Sequence, residues 1–260
     1  MRSVAGLTGR YRIGSVLYLN AIPLTHGLGN PLVLLPPSAL AAELHGGRLD
    51  AALVSVTEPL LHEGYRIVDG VGIVSDGPVA SVFLAHRGPL EELRTVFLDP
   101  ASCTSVGLLR VLLAERGLRP EFQPLKDNST ATAAPCDAML LIGNPALEFR
   151  RSGAPHSLWD LGSAWRELSG MPFVYAVWAI PDGVDAAPLA TGLRAAAAAG
   201  RAALPELVAS RPEFDRTLRQ AYLGGHIRYG LGAPEKAGLK RFAELLLKHT
   251  GRPAFPPRYI

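Results

Sequence analysis

The feature that most constrains this chain is an alternation, within its first 60 residues, between short apolar runs and segments patterned for helices. Ile13 to Leu19 is a β-rich apolar run that ends at Asn20-Ala-Ile-Pro23. Leu32 to Leu35 is a second run and Asp50 to Val56 a third. Between those two, Pro37-Ser38 opens a segment with Leu40, Ala41 and Leu44 on one helical face, closed by Gly46-Gly47. A nearly continuous apolar strand is buried on both faces, the condition met by a parallel sheet covered with helices. The order β-α-β-α-β therefore predicts an open α/β sheet with right-handed crossovers.

The pattern then repeats with different spacing. Arg66 to Val74 and Val79 to Ala85 read as strands around the turn Ser75-Asp76-Gly77-Pro78. Thr95 to Leu98 begins a second α/β series. In it a hydroxyl cluster precedes a helix with Val106, Leu109, Leu112 and Leu113 on one face, stopping at Gly117. Ala138 to Ile142 is another buried strand, Leu161, Ala164, Trp165 and Leu168 lie at helical spacing, and Phe173 to Ile180 is a strand. From Ala186 onward the chain is helical in character. Strand-like segments ending near Ala85 and Ile180 predict two lobes joined by two crossing strands around a central cleft. On this division residues 1–85 and 181–260 form one lobe and 86–180 the other, a size that suits a chain of 260 residues.

Composition removes several classes of function. The net charge of +3 comes from 26 basic and 23 acidic residues without any basic run, so no nucleic acid partner is expected. The longest apolar stretch, Met171 to Ile180, falls well short of the roughly 20 residues needed to cross a bilayer, so membrane insertion is not expected. At the N-terminus the apolar patch Val4 to Leu7 is broken by Thr8, Gly9 and Arg10, which argues against a signal peptide and for a cytoplasmic protein. Cys103 and Cys136 form no CxxC and the seven histidines no HxxxH, so no metal site is expected. Neither GxGxxG, Walker A nor GxSxG is present, and no cofactor is expected.

Open α/β sheets bind ligands beyond the carboxyl ends of their strands, so the residues that follow each run carry the functional information. They are Asn20, Ser55, the group Ser102, Thr104 and Ser105, and Asn144 after Gly143. All are small hydrogen-bonding residues near predicted helix starts, where free N–H groups and a partial positive charge favour a carboxylate or phosphate. Ser81 sits within an otherwise apolar run, where a buried hydroxyl needs a partner. Each of these residues can also serve as an ordinary cap or backbone partner, and from the residues alone both roles stay open.

Four segments carry a more specific signal: Ser15-Val-Leu-Tyr-Leu-Asn-Ala-Ile-Pro-Leu24, Pro37-Ser-Ala-Leu-Ala41, Ser75-Asp-Gly-Pro-Val-Ala-Ser-Val82 and Met171-Pro-Phe-Val-Tyr-Ala-Val-Trp178. Together, in this order and spacing, they resemble the MqnA family of menaquinone biosynthesis, the chorismate dehydratases. The similarity runs from about Ile13 to Ile180. It implies a fold like that of type II periplasmic binding proteins and a small dicarboxylate substrate, chorismate, that loses water to give 3-[(1-carboxyvinyl)oxy]benzoate without a cofactor. It also implies catalytic roles for Asn20 and Ser81, and carboxylate binding by Ser102, Thr104 and Ser105. Where the family usually reads Gly-Asp-Ala this chain has Gly143-Asn144-Pro145. Two alternatives share the fold: a non-catalytic protein that captures a small anion, and the related naphthoate synthase, whose N-terminal motif differs from Tyr18-Leu-Asn-Ala21.

Overall fold

The computed structural model describes residues 7–29, 31–99, 102–127, 129 and 135–260. Residues 4–6 of the N-terminal apolar patch lie outside them. Two five-stranded sheets organise the chain. The first has the order β2-β1-β3-β10-β4, made of β1 (Ile13–Ser15), β2 (Leu32–Leu34), β3 (Ala51–Ser55), β4 (Tyr65–Ser75) and β10 (Phe173–Pro181). Its first three strands are parallel, and β10 runs antiparallel between β3 and β4. The second has the order β7-β6-β8-β5-β9, from β5 (Val82–His86), β6 (Thr95–Leu98), β7 (Glu121–Pro124), β8 (Ala138–Ile142) and β9 (Ser157–Asp160).

The helices are α1 (Leu7–Arg10), α2 (Ile22–Thr25), α3 (Pro37–His45), α4 (Thr57–Leu61), α5 (Thr104–Glu115) and α6 (Gly143–Arg151). They continue with α7 (Leu161–Ser169), α8 (Ala186–Ala202), α9 (Leu204–Ser210), α10 (Arg216–Ala221) and α11 (Ala233–Thr250). Helix α3 packs on β3 and α11 on β10, so the predicted apolar strands are covered as their composition requires. Gly14 permits this on β1, because a Cβ there would come within 2.7 Å of the side chains of both Leu40 and Leu49. Alternate residues of β5 enter different cores. Val82 and Leu84 join the main cluster, while Phe83 and Ala85 join a smaller one with Met139, Leu141 and Phe149 on the far face of the second sheet. Among the described residues no helix is long and apolar enough to cross a membrane.

Three expectations change here, each for a local reason. Strand β1 stops at Ser15; Leu17 is 61% exposed, and Leu19–Ala21 forms a 3-10 turn that takes the chain off the sheet. Ser81 precedes β5 and is not inside it, because Ala80 adopts a left-handed φ of 65°. That conformation is held by Asp160, whose carboxylate accepts the N–H groups of Val79 and Ala80 at 3.1 and 2.8 Å. The chain accordingly passes between sheets through 76–81 and returns through α7 and 170–172. The expected boundaries at Ala85 and Ile180 instead fall within β5 and β10, strands that belong to the second and first sheet respectively. Asp76, at the first passage, pairs with Arg166 and Arg228 at 2.7 Å each and ties α7 to the C-terminal region.

Candidate active site

A cavity of about 70 Å³ lies between the sheets. Asn20, Ser55, Ser81, Ser102, Thr104 and Ser105 all line it, together with Tyr18, Gly143, Tyr175 and a set of apolar side chains. Six of the seven residues singled out in the sequence therefore converge, although they span 85 positions from Asn20 to Ser105. No carboxylate, imidazole, lysine or arginine lines this cavity among the described residues.

Asn144 is the exception. Its Oδ1 accepts the backbone N–H of Leu19 at 3.0 Å, so it staples the start of α6 to the turn that carries Asn20. Its neighbour Gly143 has φ +62°, and a Cβ there would lie 2.8 Å from the ring of Tyr18. Only glycine lets that ring lie against the backbone.

Neither expected cap is one. Asn20 is the middle residue of the 3-10 turn, and the following helix α2 has Ala21 at its N-cap. At α5 the N-cap position is Cys103, and no side chain caps the helix. The hydroxyls of this segment are used otherwise. Thr104 Oγ1 lies 3.3 Å from Thr57 Oγ1 across the two sheets, while Ser102 Oγ is buried with no hydrogen-bond partner. Asn20 Oδ1 is buried and unpartnered as well. An unmet buried polar atom costs about 1–3 kcal/mol, so two of them on the lining of one cavity are a standing demand for a ligand.

Tyrosines complete the site, and sequence reasoning missed them. The hydroxyl of Tyr222 donates to Ser81 Oγ at 2.7 Å, and the Asn20 side chain lies near enough to the same hydroxyl to favour its ionised form, against the larger effect of burial. Tyr222 opens a π-type turn, Tyr222–His226, an irregularity often found at functional sites. Nothing in the sequence marks it, since one tyrosine in a helical segment carries no motif. On the opposite side Ser75 Oγ donates to the carbonyl of Gly77 at 3.0 Å, which leaves it to accept from Tyr175, also at 3.0 Å. Burial raises the pKa of both Tyr175 and Tyr222 above the ordinary phenol value, so both remain neutral donors.

One grouping departs from the expectation of no metal ligands. The fold brings ligand atoms of His45, Glu58 and His62 within 4.8 Å of one another, away from this cavity.

Two α/β lobes, the inserted antiparallel β10 and a cavity between the sheets define the class: this is a fold of the periplasmic-binding-protein type. The alkanesulfonate-binding protein SsuA from Xanthomonas axonopodis pv. citri superposes with a TM-score of 0.69 at 15% identity, covering 93% of each chain. A protein of Archaeoglobus fulgidus superposes with a TM-score of 0.73 at 17% identity, covering 93% of this chain and 97% of that one. The chain belongs to the menaquinone biosynthesis family, whose model matches residues 11–248. It is 33% identical to a protein of Thermus thermophilus named chorismate dehydratase, over 91% of this chain and 95% of the relative. A chorismate dehydratase of Campylobacter jejuni is 28% identical over 62% of this chain and 59% of the relative.

Proposed function

We propose that this protein is a chorismate dehydratase, a cofactor-independent hydro-lyase of the cytoplasm that converts chorismate to 3-[(1-carboxyvinyl)oxy]benzoate and water. The observation that carries the reading is the pair Asn20 and Ser81 on the wall of an uncharged cavity between the sheets, with Tyr222 bonded to Ser81 behind it. Two relatives named for the reaction support it. In the reaction the ring carbon bearing the enolpyruvyl ether loses a proton, the neighbouring hydroxyl leaves, and the ring becomes aromatic. No redox change occurs, and aromatisation supplies the driving force.

The residues divide the work as follows. Ser81 Oγ accepts from Tyr222, so its own proton is free for the departing hydroxyl oxygen. Asn20 Oδ1 accepts the proton of that same hydroxyl and orients it. In a site of low dielectric such a polarised chain is stronger than its separate bonds. Ser102, Ser105 and the free N–H groups at the start of α5 hold a carboxylate, as helix N-termini do. The lining offers no base, so the enolpyruvyl carboxylate of the substrate takes the ring proton. Asn144 and the pair Thr57 and Thr104 act at lobe closure, which expels water and orients the reacting groups.

Incubation of the purified protein with chorismate tests the reading. Formation of the aromatic ether, followed by absorbance and mass, is expected. Unchanged chorismate, bound or unbound, would leave the anion-binding alternative in its place.

A further inference from the structure

His45 ends α3, Glu58 lies in the first turn of α4, and His62 follows the last residue of that helix. Glu58 and His62 are four residues apart, which places them on one side of a helical turn. The end of α3 brings His45 against them. His45 Nδ1 is 3.7 Å from Glu58 Oε1, and His62 Nε2 is 4.0 Å from Glu58 Oε2. The two imidazoles meet edge to face with centroids 5.2 Å apart. The Glu58 side chain is only 12% exposed, and those of His45 and His62 are 61% and 41% exposed.

The hydroxyl of Tyr65, from β4, also approaches this group, 3.3 Å from His45 Nδ1. That is the ring nitrogen nearest Glu58, so an ion bound there takes the place of the Tyr65 contact. Glu58 and His62 also border a groove of about 780 Å³, which gives an ion a path in.

From this juxtaposition we propose that His45, Glu58 and His62 form a zinc-class binding site that clips the end of α3 to α4. Two nitrogens and one carboxylate suit zinc and disfavour magnesium, which takes oxygen ligands. Tetrahedral bonds of about 2.0–2.1 Å put zinc ligand atoms roughly 3.3 Å apart. The separations of 3.7 and 4.0 Å run to different Glu58 oxygens and the donor atoms lie within 4.8 Å of one another, so binding draws them in by about 0.4 Å up to about 1.5 Å, a change that rotation of the exposed imidazoles supplies. Water fills the fourth position. None of the three residues lines the cavity between the sheets, so the site is separate from the proposed chemistry.

The test is calorimetric titration of the chelator-stripped full chain with zinc chloride, with magnesium chloride as the control. One zinc ion per chain and no magnesium response are expected. His45→Ala and His62→Ala should each weaken zinc binding at least about tenfold, a loss of the order seen when metal sites are disturbed. Both side chains are exposed, so these variants should fold, as circular dichroism will verify. Glu58→Gln provides the third ligand test. Absence of saturable zinc binding, or equal affinity in wild type and the His45→Ala/His62→Ala double variant, would overturn the site. Chorismate turnover by the stripped chain is a separate readout: a rate that zinc restores in wild type but not in His62→Ala would overturn the separation from the chemistry, whereas absence of any turnover bears on the proposed function alone.

Discussion

The two sides of the cavity satisfy their polar groups in opposite ways. Around Tyr222 the hydroxyl bonds to Ser81 and lies beside the Asn20 amide, so Ser81 is held before any ligand arrives and only Asn20 Oδ1 stays open. Around the start of α5, Ser102 is left without a partner and the helix has no side-chain cap. A group that must act at one atom benefits from being held in advance, because reorganisation during the reaction adds to the barrier. A group that only binds an anion can wait for it. The difference suggests that the Tyr222 side performs the chemistry and the α5 side grips a carboxylate.

Substitutions can break that comparison, starting with the largest effect. Ser81→Ala removes the group proposed to assist the leaving hydroxyl, and kcat should fall on the order of 100-fold, as for loss of one transition-state donor. Steady-state kinetics with chorismate measure it. A drop confined to KM would move Ser81 to a binding role. Asn20→Asp should lose at least about tenfold in kcat/KM, equivalent to roughly 1.4 kcal/mol, while melting within a few degrees of wild type. It replaces the amide beside Tyr222 with a charge facing a dianionic substrate. Because Asn20 caps no helix, a stability loss of capping size is not expected.

Smaller effects sharpen the contrast. Ser102→Ala should raise KM severalfold with little change in kcat, since it removes a neutral hydrogen bond worth about 0.5–1.5 kcal/mol to the bound substrate only. Without ligand the same variant should be no less stable than wild type, because it deletes an unmet buried polar atom; thermal melts decide this. The smallest expected effect is that of pH. Burial raises the pKa of Tyr175, Tyr222 and the Cys103 thiol, so their neutral forms persist further into the alkaline range than in the free side chains. With no carboxylate or imidazole on the lining, kcat should stay flat from about pH 6 to 8. A bell-shaped profile there would reveal a protein base and contradict the assignment of proton transfer to the substrate.

The elements legible in the sequence were those buried on both sides. Strand β6 and strand β8 coincide with the apolar runs at 95–98 and 138–142, and α3 with the segment that Pro37 opens and Gly46 closes. Strands β7 and β9 had no comparable signal. Both lie at the edges of the second sheet, pair on one side only and are partly exposed, so their sequences need not be apolar. Ser55 and the 102–105 hydroxyls were legible for a related reason, since the residues that follow buried strands face a cleft; Asn20 and Ser81 were legible as polar residues set in apolar runs and family motifs, and not as strand ends.

Sequence by itself thus determined the α/β class, the likeness to one family and most of the polar groups on the cavity wall, because burial on two faces and short motifs are local properties. Tertiary structure alone decided where the chain changes sheets, since that depends on Asp160 holding Ala80 from 80 positions away. It also decided the role of Asn144 as a staple, the arrival of Tyr222 at Ser81 across 141 positions, and the meeting of His45 with Glu58 and His62. These are contacts between distant segments. Their geometry is set by how helices and sheets pack, which no spacing along the chain records.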